Sequence, residues 1–432
     1  MKILKVIHGY PPRYNAGSEV YSQTLCRALV DAGHQVSVFS RYEDPFAKDF
    51  TLKLENDIKN DQVSLNLVNI TNDRLRYRYT SPEVDSIFSS ILDEFSPDVI
   101  HIGHLNHLST SLINKASSRN IPIVYTLHDY WIMCPRGQFL QRNSVDNVWA
   151  VCHKQEDQKC ANTCYSGYFS GDSHAQQAES IYWTSWIANR MQHMRELCEK
   201  VSMFIAPSRY LLNRYLNEFK IPEDKLVYMD YGFDISRLGS RKRVSTEPFT
   251  FGYIGTHIPA KGIQDLISAF ARLKGSARLK IWGRSRGQNT EALQSLVNQL
   301  ESDVKNAIEW VSEYENDAIV EDVFNHVDCI VVPSIWVENS PLVIHEALQA
   351  RVPVITADIG GMAEYITHEK NGLLFKHRDS VSLANQMQRF VDNPEYAKKL
   401  GQAGYLQSEN NNVIDINDQV KSLEKLYQTL IG

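Results

Sequence analysis

The chain has 432 residues, 43% of them hydrophobic and 22% charged, and its formal net charge is -6. This length exceeds what one hydrophobic core usually organises, the composition excludes an extensively disordered chain, and the charge argues against general nucleic-acid binding. No apolar run approaches the roughly 20 residues that cross a bilayer, and the opening MKILKVIHGY indicates a short strand instead of a signal peptide, so we expect a cytoplasmic protein.

The first half of the chain predicts a doubly wound parallel sheet. Residues 3–8 have the pattern of a buried strand, residues 9–17 form a loop with proline and glycine, and residues 20–32 predict a helix that ends at Gly33. Further strands are predicted at residues 35–40, 99–102, 123–127 and 203–206. In such a sheet, ligands bind beyond the carboxyl ends of the strands.

The second half repeats the order strand, loop, helix after a polar segment at residues 240–247, and we place the interdomain connection near residues 230–246. Strands are predicted at residues 249–254, 279–282, 329–332 and 354–356, and a helix follows Lys261 and Gly262 as far as residue 273. The sequence therefore predicts an α/β fold with two domains of the same class, at residues 1–230 and 231–412, and a last helical segment at residues 413–432.

Two carboxylates, Glu338 and Glu346, stand on either side of a predicted loop-to-helix junction. Ser340 is predicted to be the N-cap, with Pro341 in the first turn of a helix at residues 342–350. Backbone N–H groups at a helix start can hold phosphate, and carboxylates accept hydrogen bonds from sugar hydroxyls. This pattern indicates a nucleotide sugar as ligand, with both acids projecting into one cleft.

The two glutamates and the ALQARVPVITADIGGMAEYI that follows resemble the donor-binding signature of the family 4 glycosyltransferases, retaining enzymes with two facing Rossmann-like domains (GT-B) and a cleft between them. The likeness extends to MKILKVIHGYPPRYNAGSEVY, IAPSRYL, DYGFD, FTFGYIGTHIPAKGI and NGLLF, in this order. The resemblance implies that the last helix crosses back to the first domain.

The resemblance also assigns roles to individual residues. It implies that Glu346 holds the ribose diol of the donor, that Glu338 contacts the transferred sugar, and that Lys261 contacts the diphosphate. The predicted donor-binding residues are Gly17, Thr256, Lys261, Arg284, Ser340, Leu342 and Glu346, and the predicted catalytic residues are Glu338, His128 and Lys261. The alternatives are a solvent-facing Glu346, a plain turn at Gly17 and a structural His128.

No D-x-D metal motif is present, so we expect the charge on the leaving diphosphate to be stabilised by cationic side chains and backbone amides. The family usually has an arginine where this chain has Thr256, and a hydroxyl cannot replace a bidentate guanidinium. His257, Arg284 and Arg286 are the candidates to supply that charge, although the two arginines fit an ordinary surface role equally well.

The leading hypothesis is a metal-independent retaining transferase that moves a hexose-type sugar to a glycan or lipid-linked glycan in cell-surface polysaccharide or lipopolysaccharide assembly. The resemblance favours front-face displacement, so His128 is not named as a general base. Thr256 keeps open a catalytically weak nucleotide-sugar-binding assembly subunit, and a nucleotide-sugar epimerase on the same architecture is a third hypothesis.

Four cysteines, Cys134, Cys152, Cys160 and Cys164, lie within one predicted insertion near residues 134–164. They predict a structural zinc site, with His153 as a substitute ligand, while unpaired thiols and disulfides are the alternatives. The insertion follows His128, so Arg136 and Gln138 are predicted acceptor contacts, with ordinary loop packing as the alternative.

An aromatic segment at residues 181–200 begins IYWTSWI and continues into a basic helical part. Tyr182, Trp183, Trp186 and Ile187 have the spacing of core residues, but the same stretch fits an amphipathic surface that meets a lipid-linked acceptor on the inner face of the cell membrane. The basic stretch with Arg74, Arg76, Tyr77, Arg78 and Tyr79 is predicted to assist such peripheral contact.

Overall fold

The computed structural model describes residues 1–71, 79–142, 149–239, 241–243 and 248–432. The strands of the first half are β1 Lys2–Val6, β2 Gln35–Tyr42, β3 Leu52–Asn56, β4 Val63–Asn69, β5 Val99–Ile102, β6 Ile123–Thr126, β7 Leu140–Arg142, β8 Trp149–Val151, β9 Met203–Ala206 and β10 Leu226–Tyr228. Those of the second half are β11 Phe249–Ile254, β12 Ala277–Trp282, β13 Ile308–Val311, β14 Cys329–Val332, β15 Val354–Ala357 and β16 Gly372–Phe375.

The helices of the first half are α1 Gly17–Asp31, α2 Pro82–Phe95, α3 Leu112–Ser117, α4 Asp157–Cys164, α5 Ser173–Cys198 and α6 Arg209–Arg214. Those of the second half are α7 Ile263–Phe270, α8 Asn289–Asn298, α9 Ser302–Asn306, α10 Ile319–Asp322, α11 Leu342–Gln349, α12 Gly360–Glu364, α13 Ser380–Asp392, α14 Pro394–Ala403 and α15 Ile416–Ile431.

Two large sheets draw their strands from different halves of the chain. The first has the order β10-β9-β6-β5-β1-β2-β4-β3, parallel except for the β3–β4 pair, and the second is parallel with the order β13-β12-β11-β14-β15-β16. Parallel strands bury both faces, and the adjacent Ile3 and Leu4 are fully buried in two different apolar clusters. This architecture confirms the predicted α/β class with two Rossmann-like sheets.

Each sheet reverses its strand order at one point, and ligands of open parallel sheets generally bind at such points. In the first sheet the reversal lies between β1 and β5, and in the second between β11 and β14. Loops that leave the carboxyl ends of two such strands diverge and open a crevice between them. Lys261 follows β11 and Glu338 follows β14, so both belong to the crevice of the second sheet.

Hydrogen bonds from one short loop join the two halves. The Asn339 amide donates to the carbonyl oxygens of Leu127 at 3.2 Å and His128 at 3.3 Å, and the Ser208 hydroxyl donates to Asn339 Oδ1 at 2.6 Å. One turn away, the Tyr130 hydroxyl donates to Val337 O at 2.9 Å. The loop after β14 therefore lies directly against the carboxyl end of β6.

The last helix contacts elements of the first sheet. The Tyr21 hydroxyl on α1 donates to Gln419 Oε1 at 3.0 Å, and the Tyr427 hydroxyl lies 2.6 Å from His101 Nδ1 on β5. The helix begins at Ile416, later than the predicted residue 413, because the Phe233 N–H donates to Ile414 O at 2.8 Å and holds residues before it in an extended pairing. The predicted domain bounds stay predictions.

Candidate functional site

Lys261 and Glu338 form an ion pair in the crevice of the second sheet. Lys261 Nζ lies 2.7 Å from Glu338 Oε1, and the Ser334 hydroxyl donates to the same oxygen at 2.5 Å. Glu338 is 6% exposed, whereas the Lys261 side chain keeps 29% of its surface. The carboxylate thus accepts from two donors, and the partly exposed ammonium group has N–H donors beyond the one that Glu338 uses.

Glycines bring the loops of this crevice into close contact. Gly262 has φ +72°, and a Cβ there would lie 2.0 Å from Pro333 O, so a side chain would push the Lys261 loop away from the Glu338 loop. A Cβ at Gly361 would lie 1.3 Å from Asn339 O, and the Gly361 N–H donates to Glu338 O at 3.0 Å. The IGG sequence at the start of α12 therefore holds the backbone of Glu338 in place.

Glu346 lies on the second turn of α11 and is also buried and paired, with 6% of its surface exposed. The Arg237 guanidinium donates to Glu346 Oε1 at 2.6 Å and to Asn316 O at 2.8 Å. Burial, together with the Glu346 carboxylate, raises the pKa of Tyr314, which keeps a neutral hydroxyl beside this pair. The sequence did not predict Arg237, although it stands three residues after the DYGFD motif.

The N-terminus of α1 in the first half lies close to the N-terminus of α11 in the second half. A Cβ at Gly17 would lie 3.5 Å from Leu342 Cδ1, so any larger residue at position 17 would enter the space between the two helix N-termini. Both N-termini carry peptide N–H groups with partial positive charge. The prediction that Ser340 caps α11 was wrong: the N-cap is Pro341, and the Ser340 hydroxyl instead accepts from Tyr365 at 3.0 Å.

His128 follows β6 and is half-buried among aromatic and glycine neighbours. Its Nδ1 lies 2.6 Å from the Tyr231 hydroxyl, and the two rings stack with centroids 5.6 Å apart. Burial, assisted by the nearby Lys5 ammonium group, lowers the pKa of His128 well below its ordinary value, so the imidazole is neutral at pH 7. Its Nε2 is buried and has no hydrogen-bond partner among the described residues.

The predicted acceptor residues, Arg136 and Gln138, follow His128 in the sequence. Arg136 is exposed and lines a small cavity together with the four clustered cysteines, while Gln138 is half-buried. Their role in acceptor binding stays a prediction. His153, the predicted substitute zinc ligand, is exposed and is absent from the lining of that cavity, and its backbone oxygen accepts from Arg214 at 3.0 Å.

Comparisons with known proteins identify the family. The model described as "Glycosyltransferase Family 4" matches residues 16–237, and "Glycosyl transferases group 1" matches residues 237–407.

The chain belongs to glycosyltransferase family 4.

Individual relatives agree with this assignment. The chain is 24% identical to a glycogen synthase of Mycobacterium tuberculosis, over 93% of this chain and 89% of that protein. It is 23% identical to the capsular polysaccharide biosynthesis glycosyltransferase CapM of Staphylococcus aureus, over 54% of this chain and 65% of that protein. The solved structure of Anabaena HepE in complex with UDP and glucose superposes with a TM-score of 0.69 at 17% identity, covering 99% and 100% of the two chains.

In this glycosyltransferase, Thr256 carries no positive charge, and neither does its neighbour His257. His257 is 3% exposed, its Nδ1 lies 2.8 Å from Thr290 Oγ1, and burial lowers its pKa, so the ring is neutral at pH 7. The Arg284 carbonyl accepts from the His257 N–H at 2.9 Å, which joins the loops after β11 and β12. Arg284 is half-buried and Arg286 is exposed, and these two cations remain the candidates.

A group of histidines on the first half of the glycosyltransferase was not predicted as part of the site. His8 Nε2 lies 3.3 Å from Glu19 Oε1, and its ring centroid lies 4.5 Å from that of His104, whose Nε2 is 3.3 Å from Asp129. Burial raises the pKa of Glu19, but the contact with His8 lowers it, and the resulting pKa is about 2. His8 follows β1 and His104 follows β5, the two strands at the reversal point of the first sheet.

The stability of the glycosyltransferase should fall as the pH is lowered from 6.5 to 5. Burial and neighbouring cations, Arg286 among them, lower the pKa of His107 to about 3. The unfolded chain then binds a proton below about pH 6.5 that the folded protein does not bind, which costs up to about 1.4 kcal/mol per pH unit. Urea unfolding measures the decrease in the free energy of unfolding between pH 6.5 and pH 5.0. In His107→Asn this decrease should be smaller than in the unmodified protein by about 2 kcal/mol.

Asparagine suits position 107 because its backbone has φ +60°, which asparagine tolerates. The matched control is His326→Asn, since His326 is exposed. An identical pH dependence in His107→Asn and the unmodified protein would show that His107 does not remain neutral in the folded state.

The aromatic segment of the glycosyltransferase divides between core and surface. Trp183 and Ile187 on α5 are buried, as the core interpretation predicts, whereas Ile181 and Tyr182 are 63% and 58% exposed. Arg74, Arg76, Tyr77 and Arg78 lie outside the described residues, and peripheral membrane contact stays a prediction. Within the described part of the chain, no helix combines the length and apolar character needed to cross a membrane.

Proposed function

We propose that this glycosyltransferase moves a hexose-type sugar from a nucleotide diphosphate sugar to a hydroxyl group of a glycan or lipid-linked glycan, with retention of anomeric configuration and without a catalytic metal. We place the reaction in cell-surface polysaccharide assembly at the inner face of the cell membrane. The single observation that carries the proposal is the Lys261–Glu338 pair, 2.7 Å long, in the crevice between β11 and β14.

The donor binds in this crevice by forming new contacts with the charged groups of the existing ion pairs. A diphosphate that approaches Lys261 offers more negative charge than Glu338 does, and the ammonium group has free donors for it. Glu338 then loses one partner, keeps Ser334 at 2.5 Å, and can accept hydrogen bonds from sugar hydroxyls. Glu346 accepts from the ribose diol in the same way, beside Arg237.

The transfer step that we propose is a front-face displacement. The acceptor hydroxyl oxygen forms a bond to the anomeric carbon on the face from which the nucleotide diphosphate departs, and the bond from that carbon to the phosphate oxygen breaks. The departing phosphate oxygen takes the hydroxyl proton, so no protein base is required. Lys261 and the peptide N–H groups at the start of α11 stabilise the negative charge that develops on the diphosphate.

The similar proteins support the chemical class of both substrates. HepE was solved with UDP and glucose, and CapM is described as a capsular polysaccharide biosynthesis glycosyltransferase. A nucleotide-bound sugar as donor and a surface polysaccharide as product are therefore the substrate classes that we propose.

A thermal-shift panel of nucleoside diphosphates and their sugars should identify the donor. A ligand that binds only the folded protein, present at 100 times its Kd, stabilises it by about 2.7 kcal/mol, which raises Tm by a few degrees. One base should give the largest shift, and NMR of the product with a glycan acceptor should show the donor's anomeric configuration.

The alternatives give different results in the same assay. A new sugar formed without acceptor would identify an epimerase. Donor binding without transfer to any glycan offered would favour an assembly subunit. No shift with any nucleotide would remove the proposal.

A further inference from the structure

Two adjacent residues of α11 are paired with one short segment that joins the two halves of the chain. This crossing segment, residues 230–237, follows β10 of the first sheet and precedes β11 of the second. His345 Nε2 lies 3.2 Å from both carboxylate oxygens of Asp230, and these two residues are only 0% and 2% exposed. The next residue, Glu346, accepts from Arg237 at 2.6 Å. The helix that carries Glu346 is therefore tied twice to the crossing segment.

The crossing segment is itself held by the residues of α15 and those just before it. Gln419 Nε2 donates to Asp230 O at 2.7 Å, and Gln419 Oε1 accepts from the Gly232 N–H at 2.9 Å. The Phe233 N–H donates to Ile414 O at 2.8 Å. Since α15 packs on the first half, the backbone of Asp230 is fixed relative to the first half, while its carboxylate reaches α11 in the second half.

Several groups face the Asp230 carboxylate in the interior. The Tyr405 hydroxyl donates to Oδ2, the Tyr231 N–H donates to Oδ1 at 2.8 Å, and the Tyr365 hydroxyl lies 3.4 Å from Oδ1. Burial and the negative charge of Asp230 raise the pKa of Tyr405, so that phenol keeps the proton that it donates. A buried carboxylate is costly when a donor is removed, so separating His345 from Asp230 carries a free-energy cost.

The His345 ring also contacts the start of α11. Its Nδ1 lies 3.2 Å from the carbonyl oxygen of Pro341, the N-cap residue. The ring stacks on Phe233 of the crossing segment, with centroids 5.0 Å apart. The first turn of α11 carries the peptide N–H groups that we place against the diphosphate. One imidazole ring therefore fixes the position of this turn relative to the crossing segment.

We propose that His345 and Asp230 are positioning residues for the nucleotide diphosphate sugar, because their contact keeps α11 against the crossing segment while the donor engages Glu346. The inference rests on the proposed function, in which the ribose diol and Arg237 share the Glu346 carboxylate. A donor that weakens the Arg237 contact leaves the His345 contact intact, since His345 is fully buried and does not touch the donor. The pair thus affects donor affinity and takes no part in the transfer step.

The donor affinity of two His345 variants tests the proposal. His345→Leu removes the donor to Asp230 and should raise the Kd of the nucleoside diphosphate with the largest thermal shift by about 10-fold. His345→Gln keeps an amide N–H that can donate to Asp230, so its Kd should stay within about threefold of normal. Isothermal titration measures both values on folded protein. The KM for the donor should rise with the Kd in His345→Leu, whereas kcat at saturating donor should change less, because the bound nucleotide then holds α11 in place.

The control for a purely structural effect is Asp328→Asn. Asp328 also belongs to a buried ion pair, with Arg243 at 2.6 Å, and it lies just before β14, at the end of that strand opposite the crevice. This variant should lose stability and keep the Kd of the unmodified protein. A loss of affinity in His345→Leu that Asp328→Asn does not share is therefore not explained by lower stability.

Hydrogen exchange gives a second measurement that needs no ligand. The backbone amides in the second turn of α11, at residues 345–349, should exchange about 10-fold faster in His345→Leu than in the unmodified protein, because local opening of the helix becomes less costly. If His345→Leu does not fold, Asp230→Asn replaces it in both measurements, with the same direction of change expected.

The possible results separate this inference from the proposed function. An unchanged donor Kd in His345→Leu would overturn the inference, whatever the exchange rates, and would leave the proposed function standing. Equal losses of affinity in His345→Leu and His345→Gln would also overturn it, since the hydrogen bond to Asp230 would then not be the cause. Absence of nucleotide binding by the unmodified protein would remove the proposed function and this inference together.

Discussion

Replacement of Glu346 with glutamine should weaken binding of the nucleotide diphosphate sugar by roughly 10- to 100-fold, which corresponds to the loss of one or two charge-assisted hydrogen bonds. The neutral amide would present donors to the ribose diol, and it would leave the buried Arg237 guanidinium without its carboxylate at 2.6 Å. Isothermal titration of the variant with the donor identified in the thermal-shift panel measures this change directly.

The matched control is Asp328→Asn. Asp328 forms a second buried ion pair in the same half of the chain, with Arg243 at 2.6 Å, and it lies just before β14 instead of in the crevice. That variant should lose stability and keep its donor affinity. Unchanged donor affinity in Glu346→Gln, with full transfer activity, would remove Glu346 from the donor site.

Replacement of Lys261 with methionine should lower kcat by roughly 10²- to 10³-fold, the loss typical when one group that stabilises transition-state charge is removed. The methionine side chain fills similar space above Trp336, where Lys261 Nζ now lies 5.7 Å from the ring centroid, so the crevice keeps its shape. Steady-state rates of nucleoside diphosphate release, measured with saturating donor and acceptor, give the effect on kcat.

Lys280→Met serves as the control for loss of a lysine from the same sheet. Lys280 pairs with Glu309 at 3.2 Å on the neighbouring strands β12 and β13 and is remote from the Glu338 loop. Its kcat should match that of the unmodified protein. A kcat within threefold of normal for Lys261→Met would show that the charge on the diphosphate is stabilised by other groups, with Arg284 first among them.

The buried parallel strands could be predicted closely from the sequence. β5, β9, β11 and β14 have the predicted bounds, because a strand covered on both faces leaves a short, continuous apolar run. β3 and β13 were missed because exposed residues interrupt their apolar pattern: in β3 four of the five residues are exposed. These strands form because they pair with a neighbouring strand, and the local hydrophobic pattern of the sequence does not reveal such pairing.

The site was predictable where its residues follow strand ends and unpredictable where distant residues meet. Lys261 and Glu338 come directly after β11 and β14, and the structure brings them together. Arg237 meets Glu346 across 109 positions, so no local spacing could reveal the pair. Serine is a common N-cap residue, but the Ser340 hydroxyl oxygen accepts a hydrogen bond from Tyr365, which lies 25 positions later.

Asn339 links the contact between the two halves to the position of Glu338. Its amide spans the halves by bonding to Leu127 O, His128 O and the Ser208 hydroxyl, and it is the immediate neighbour of Glu338. A hinge motion that separates the halves must detach this amide and thereby pull on the backbone of Glu338. Under the proposed function, separation of the halves would therefore also displace the carboxylate that contacts the donor sugar.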